Sequence, residues 1–177
     1  LYDSKSGERG IFNREAADKQ VARNGRRETG HMWGTNPCSE IILRPYQFCN
    51  LSEVVVREHD TLKTLERKVR LATILGTIQS TLTDFKYLRK VWKDNTEEER
   101  LLGVSLTGIM DHSVLSKNVD SKIWLEKMRD TAIETNRQYA QTLGIPQSSA
   151  ITCVKPSGTV SQLVDAASGI HARHSEY

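Results

Sequence analysis

Apolar residues recur along the chain at two different spacings, and these spacings predict its secondary structure. Short runs rich in β-branched residues and bounded by proline or glycine are typical of strands. The predicted strands are 39–44, 50–57, 103–108 and 149–154. Apolar residues three or four positions apart are typical of helices. The predicted helices are 12–21, 60–92 and 120–144. Since strands alternate with long helices, we predict an α/β fold with a largely parallel sheet.

Capping residues indicate where these helices begin and end. Asp60 or Thr61 can accept a backbone N–H at the start of the long helix. Asn95 or Thr96 is predicted to cap a turn that leads into three glutamates, a composition that favours a helix N-terminus. Gly144 is predicted to end the last helix.

The composition argues against several classes of protein. The chain has 177 residues, which suits one ordinary domain. It carries 25 basic and 22 acidic residues, and the net charge of +3 is too small to indicate a nucleic-acid surface. No apolar run reaches about 18 residues, so we expect no membrane span. Its three cysteines include no CxxC pair and do not predict a disulfide scaffold or a zinc finger. The chain begins without Met and stops after a glycine turn, so we expect a segment of a larger protein. We expect a cytoplasmic location.

The first candidate for chemistry is the sequence Asn36-Pro37-Cys38-Ser39-Glu40. Proline restricts its own backbone and that of the preceding residue, so this loop is expected to be stiff. In an extended segment, residues two apart lie on one face, which would direct an amide, a thiol and a carboxylate at one ligand. The alternative is a buried cysteine beside an ordinary strand.

A second thiol, Cys49, lies eleven residues after Cys38. A strand and a turn back would bring the two thiols close, and they would then exchange electrons or serve separate steps. The alternatives are two unrelated core thiols, or a zinc site with His31, for which the ligand spacing is unusual. We expect no metal site.

The second candidate is the loop Pro156-Ser157-Gly158-Thr159, between a predicted strand and a short helix. It lacks the arginine of a cysteine-phosphatase loop and the Gly-Lys-Ser/Thr of a Walker loop. A glycine and two hydroxyls at the start of a helix favour phosphate binding through backbone N–H groups. The alternative is an ordinary strand–helix turn, with Cys153 packed in the sheet. Basic residues near the end either extend a cationic ligand surface or are solvated. They are His171, Arg173 and His174.

Four segments, taken in order, resemble a known family. They are 36–41, 48–51, 102–111 and 155–162. In these segments the chain is similar to the catalytic subunit of ribonucleotide reductase, in its adenosylcobalamin-dependent (class II) branch that acts on ribonucleoside triphosphates. Pro37 stands where the branch with a separate radical subunit usually has leucine. The short separation of Cys38 and Cys49 also favours the cobalamin branch.

The resemblance implies a fold and a reaction. The fold is a ten-stranded α/β barrel in which a finger loop carries a radical cysteine, here Cys38. Homolysis of the cobalt–carbon bond of adenosylcobalamin leads to a thiyl radical at Cys38, which removes the 3′ hydrogen atom of the ribose away from water. Glu40 accepts the proton of the 3′ hydroxyl, and Asn36 hydrogen-bonds to the ribose hydroxyls or to Glu40. Cys49 is one half of a dithiol that supplies two electrons, and its partner is expected outside this chain. The substrate phosphates bind at 156–159.

The resemblance also implies partners. They are a ribonucleoside triphosphate substrate, a thioredoxin-type reductant and a dNTP or ATP effector, without membrane or nucleic-acid binding. Two alternatives stay open: the large subunit of a ribonucleoside-diphosphate reductase activated by a separate radical subunit, and a non-catalytic nucleotide-binding module. The isolated chain is expected to be inactive.

On this interpretation, 1–177 is a single segment of the catalytic barrel. Its predicted parts are a loop-rich opening at 1–35, the finger loop and reducing cysteine at 36–49, a helical region with one strand at 60–145, and a strand, phosphate loop and helix at 149–170.

Overall fold

The computed structural model describes residues 2, 3, 5, 10–24, 26–117, 119–173 and 175. The helices are α1 (Arg14–Asn24), α2 (Leu62–Gln79), α3 (Lys90–Glu99), α4 (Ser113–Lys117), α5 (Asp120–Leu143) and α6 (Thr159–Leu163), with one 3-10 turn at Ile109–Asp111. The strands are β1 (Gly34–Thr35), β2 (Ile42–Leu43), β3 (Asn50–Val55) and β4 (Leu102–Thr107).

The strand β4 lies between two parallel neighbours. β3 pairs with β4 along its whole length, starting with Asn50 opposite Leu102. At the other edge of β4, Thr152 forms a parallel bridge to Val104. The predicted strands at 50–57 and 103–108 are therefore confirmed, whereas the predicted strand at 149–154 is reduced to this bridge. α2 and α3 form the crossover that two parallel strands require.

The helices α2 and α5 bury the main core against one face of the sheet. α2 begins where predicted, because Thr61 accepts the N–H of Thr64 and the Thr64 side chain accepts the N–H of Thr61, a reciprocal cap. The buried apolar residues of this core are Val54, Val56, Leu65, Val69, Leu102, Val104, Leu115, Met128, Ala132 and Ile151. α5 ends at the predicted Gly144, which has φ 66° and ψ 32°. Within the part of the chain that the structure describes, no helix has the length and apolar character needed to cross a membrane.

The helix α2 ends at Gln79, and its predicted continuation to about residue 92 is wrong. Phe85 and Trp92 leave the helix because both pack against Phe48, with ring centroids 5.2 and 4.6 Å apart. Aromatic contact with a residue distant in sequence overrides the helical periodicity that these side chains share with α2.

The cap predicted at Asn95 or Thr96 is also wrong, because both residues lie inside α3. The Asn95 amide donates to the carbonyl of Pro45 at 3.0 Å instead of capping a helix. Thr96 accepts the N–H of Arg100 through its carbonyl at the C-terminus of α3.

The predicted strand at 39–44 is shortened to β2, which pairs antiparallel with β1. α1, predicted at 12–21, packs on this small ladder through a second apolar cluster of Ala17, Val21 and Trp33, with Ile42 against it. This cluster holds the segment that contains the first candidate site.

Candidate active site

Cys38 lies in a tight turn between β1 and β2. Asn36 closes this turn, because its carbonyl accepts the N–H of Ser39 at 3.0 Å and its side-chain oxygen accepts the N–H of Ile41 at 3.0 Å. Ser39 has φ 65°, a left-handed conformation. The expectation of an extended segment at 36–40 is therefore wrong, since the chain reverses. Cys38 is exposed, so the described residues do not shield its sulfur from water, contrary to expectation.

Glu40 is the buried acid of the site, with 5% of its side chain exposed. Its Oε1 accepts hydrogen bonds from Asn36 Nδ2 at 2.7 Å and from Lys155 Nζ at 2.9 Å. Its Oε2 is buried and has no hydrogen-bond partner among the described residues. Burial alone would raise the pKa of Glu40, but the hydrogen bonds from Lys155 and Asn36 and the charge of Lys155 hold that pKa below its ordinary value. An ionised carboxylate with one unpartnered oxygen can act as a proton acceptor towards a donor that reaches it.

Two half-buried thiols, Cys49 and Cys153, accompany Glu40. Cys153 occupies space above β4 that Gly103 leaves open: its Sγ lies 3.1 Å from the point where a Cβ on Gly103 would be, and Leu51 is closer still. Burial and the nearby charge of Glu40 raise the pKa of Cys49. The same causes, with Cys49 added, raise the pKa of Cys153 to about 12. Both groups are therefore thiols at neutral pH, the form that donates hydrogen atoms.

The loop 156–159 leaves the edge of the sheet and leads into α6. The N–H of Ser157 donates to Ser168 Oγ at 2.9 Å, while the buried hydroxyl of Ser157 has no partner among the described residues. Gly158 has φ 61° and ψ −127°, a conformation open to glycine. α6 has only five residues, so a ligand here would depend on individual N–H and hydroxyl groups, including those of Thr159, rather than on a helix dipole.

Lys155 connects the two candidate loops. Its Nζ reaches Glu40 across 115 positions of sequence, and its backbone N–H donates to Ser105 Oγ on β4 at 3.0 Å. The loop 156–159 is thus joined to the turn that carries Cys38. No role for Lys155 was predicted from the sequence, although its position directly before Pro156 indicates that it lies next to the loop 156–159.

A buried ionic network fixes the base of the Cys38 turn. Arg27 donates to both carboxylate oxygens of Glu99, at 2.7 and 2.9 Å, and to the carbonyl of Ile42 in β2 at 2.7 Å. Gln47 donates to the same carboxylate, and Arg44 lies 3.4 Å from it. The network ties β2 to the end of α3. The sequence does not indicate this network, because its members are far apart in the chain and form no local pattern.

Among the basic residues near the end, Arg173 is neutralised by acids rather than open to a ligand. Arg173 pairs with Asp111 at 2.9 Å and with Asp165 at 2.7 Å, so the cationic-surface hypothesis is wrong for this residue. His171 contacts the carbonyl of Ser168 at 3.0 Å, and His174 lies outside the described residues. Within the described ranges, no group of three or more His, Cys, Asp or Glu side chains is arranged to hold a metal ion.

Comparison with known proteins places this geometry in a family. A family model described as the ribonucleotide reductase barrel domain matches residues 3–119. The chain is 29% identical to a probable adenosylcobalamin-dependent ribonucleoside-triphosphate reductase of Dictyostelium discoideum, over 100% of this chain and 23% of that protein. It is 32% identical to the adenosylcobalamin-dependent ribonucleoside-triphosphate reductase of Euglena gracilis, over 81% of this chain and 19% of that protein.

A solved structure shares the fold. The crystal structure of a B12-dependent (class II) ribonucleotide reductase superposes with a TM-score of 0.66 at 24% identity, over 80% of this chain and 23% of that one. The predicted fold class, part of an α/β barrel, is confirmed. The chain spans about a fifth to a quarter of the length of these proteins. Because the family model matches most of the sequence and the same fold is found in a solved reductase, the chain belongs to the ribonucleotide reductase barrel-domain family.

Proposed function

We propose that the protein carrying this chain reduces ribonucleoside triphosphates to 2′-deoxyribonucleotides by thiyl-radical chemistry that depends on adenosylcobalamin. The observation that carries the proposal is the hydrogen-bonded link of Asn36, Glu40 and Lys155, which joins the Cys38 turn to the loop 156–159. The names of the Dictyostelium and Euglena relatives support the same activity and cofactor.

The proposed reaction begins at the sulfur of Cys38. As a thiyl radical, Cys38 takes the 3′ hydrogen atom of the ribose, while Glu40 accepts the proton of the 3′ hydroxyl through its unpartnered Oε2. The 2′ carbon–oxygen bond then breaks and the oxygen leaves as water. Cys49 and a partner thiol supply two electrons and two protons, one proton to the departing water and one to the 2′ carbon, and become a disulfide, while Glu40 returns its proton to the 3′ oxygen. The hydrogen atom finally returns from Cys38 to the 3′ carbon, so the radical is recovered.

Asn36 has a positioning role in this proposal. Its side-chain oxygen is bound to the N–H of Ile41 and its amide donates to Glu40, so both polar ends are engaged. The same residue therefore holds the turn that presents Cys38 and orients the carboxylate. Such fixed placement shortens the search for a reactive geometry between sulfur, carboxylate and sugar.

The described residues fit the cofactor at one point, the sulfur of Cys38. This sulfur lies in an exposed turn, where a bulky group can approach it. When bound, adenosylcobalamin supplies the oxidation that removes the hydrogen atom of the Cys38 thiol. Since the described residues leave Cys38 open, the exclusion of water is assigned to the bound substrate and cofactor.

The substrate phosphates are assigned to Pro156, Ser157, Gly158 and Thr159. The unpartnered hydroxyl of Ser157 and the open backbone at Gly158 support this assignment. The triphosphate preference follows the names of the relatives. A thioredoxin-type reductant, a dNTP or ATP effector, and a cytoplasmic location stay predictions.

A non-catalytic nucleotide-binding module would explain the loop 156–159 but not Glu40. A buried carboxylate oxygen without a partner costs about 1–3 kcal/mol or more. Phosphate binding gains nothing from a negative charge tied to the adjacent lysine. The arrangement therefore favours chemistry at the sugar.

The test is deoxynucleotide formation by a full-length reductase that contains this segment. We expect product with adenosylcobalamin and none without it, and no product from Cys38→Ser under either condition. Cys153→Ser is the matched control, because it removes a thiol of the same sheet to which the mechanism assigns no role, and it is expected to retain activity. Product formed without the cofactor would favour the diphosphate branch with a separate radical subunit. Full activity of Cys38→Ser would overturn the mechanism.

A further inference from the structure

Lys155 contacts the candidate acid but has no part in the mechanism above. It lies two residues after Cys153 and two before Ser157, with its backbone N–H anchored on Ser105. Its side chain is 29% exposed, and its Nζ lies 2.9 Å from Glu40 Oε1. A lysine at the surface usually pairs with an exposed acid, whereas Glu40 is 5% exposed. This pair therefore places a cation against a buried base.

The two carboxylate oxygens of Glu40 differ in their hydrogen-bond partners. Oε1 receives both donors, Asn36 and Lys155, whereas Oε2 receives none among the described residues. A carboxylate held by two donors on one oxygen has a fixed orientation, and its other oxygen stays available. We propose that Lys155 is a positioning residue for Glu40, which holds Oε1, keeps the carboxylate ionised beside an anionic substrate, and leaves the buried Oε2 without a donor, so that it can accept the proton from a bound sugar. This inference rests on the proposed function of Glu40.

The other groups around Glu40 cannot replace this cation. Arg27 lines the same small cavity as Glu40, but its donors are committed to Glu99, Gln47 and the carbonyl of Ile42. The remaining titratable neighbours are thiols. Among the described residues they are Cys38, whose charge would act on Lys155, and Cys49 and Cys153, both close enough for the charge of Glu40 to raise their pKa.

The substrate makes a positive charge more important at this place. A nucleotide phosphate bound at 156–159 adds negative charge near Glu40, and a nearby like charge favours the protonated acid. Burial acts in the same direction. Lys155 opposes both effects, and its own pKa is raised by the hydrogen bond and charge of Glu40, so it stays protonated at neutral pH.

The experiment is the pH profile of deoxynucleotide formation at saturating substrate, in the full-length reductase. The acidic limb of this profile reports the pKa of Glu40. In Lys155→Met the limb is expected to shift to higher pH by about 1 pH unit or more, because an opposite charge in contact lowers a carboxyl pKa by about 1–3. Activity should then recover towards alkaline pH. Lys155→Arg keeps the charge and should return the limb close to its original place. Lys155→Gln keeps a hydrogen-bond donor but removes the charge. Its pH profile is measured instead if Lys155→Met does not fold.

The matched control is Lys68→Met. Lys68 in α2 also pairs closely with a buried acid, Asp60, at 2.6 Å with 4% of the Asp60 side chain exposed, but this acid precedes α2 and is not one of the site residues. It should lower the melting temperature without moving the limb. The proposal is overturned if Lys155→Met, or Lys155→Gln in its place, lowers the rate by the same factor at every pH, or leaves the limb in place. A wild-type enzyme that forms no deoxynucleotide would instead reject the proposed function.

Discussion

Replacing Gly169 by alanine is expected to displace the start of the proposed phosphate loop. Gly169 has φ 54°, and a Cβ there would lie 2.6 Å from the carbonyl oxygen of Lys155 and 3.6 Å from the Cα of Pro156. Its N–H donates to Thr107 Oγ1 at 3.0 Å, which ties Gly169 to the end of β4. The methyl group meets rigid backbone rather than a flexible side chain, so the carbonyl of Lys155 has to move.

Gly144 supplies the comparison from which the magnitude follows. It has a similar φ of 66°, but a Cβ there would meet nothing within 4 Å. An alanine in the left-handed conformation costs about 1–2 kcal/mol of stability at either position. Alanine also restricts the unfolded chain more than glycine does, and this offsets about 0.4–1 kcal/mol of that cost at both positions. Overpacking adds about 1–3 kcal/mol at Gly169 alone. We therefore expect losses of about 1 kcal/mol for Gly144→Ala and about 2–4 kcal/mol for Gly169→Ala.

The assay measures two quantities in the full-length reductase, the urea midpoint and the KM for nucleotide. If the clash of about 1–3 kcal/mol displaces the loop 156–159 and weakens nucleotide binding by the same free energy, KM should rise by about 5- to 150-fold in Gly169→Ala. In Gly144→Ala, KM should not change, because a Cβ at Gly144 would meet nothing within 4 Å and therefore displaces no neighbour. Equal midpoints and an unchanged KM in both variants would refute the reasoning, since the contact with Lys155 would then carry no energy.

Two further changes test the supports of the site. Thr61→Ala removes the oxygen that accepts the N–H of Thr64, and should lower the free energy of unfolding by about 1 kcal/mol in a denaturant titration. An unchanged free energy of unfolding would show that the reciprocal cap does not stabilise the protein. Glu99→Gln leaves the charges of Arg27 and Arg44 buried without their acid, and should cost about 3–5 kcal/mol. Burial alone would raise the pKa of Glu99, but hydrogen bonds from Arg27 and Gln47 and both guanidinium charges hold it below its ordinary value. A lowered pKa means that this stability is complete above about pH 4.3 and is lost as the pH falls through the folded-state value. Wild-type protein should therefore lose stability in acid more steeply than Glu99→Gln, and parallel curves would contradict this account.

Sequence patterns predicted the elements whose causes are local. The cap at Thr61 depends on residues three positions apart, and the stop at Gly144 depends on one left-handed residue. β4 was visible because it is short, apolar and followed by a glycine. In each case the energy that forms the element arises within a few residues, so a local pattern carries the signal.

The errors occurred where distant contacts competed with local preference. Phe85 and Trp92 continue the apolar period of α2, yet both lie outside α2 with their rings packed against Phe48. At 36–40 a proline-containing segment was expected to extend, but the side chain of Asn36 closes a turn instead.

The sequence by itself determined the chemistry that is available: a thiol at Cys38, a carboxylate at Glu40, and a glycine loop at 156–159, in the order typical of a reductase barrel. Only the tertiary structure decided that Lys155 crosses 115 positions to hold Glu40, and that Arg27 and Glu99 anchor the turn beneath it. The physical reason is that an ion pair forms between groups that folding brings together and buries. The energy of the ion pair depends on the distance between the two charges and on their shielding from water, and neither can be predicted from neighbouring residues in the sequence.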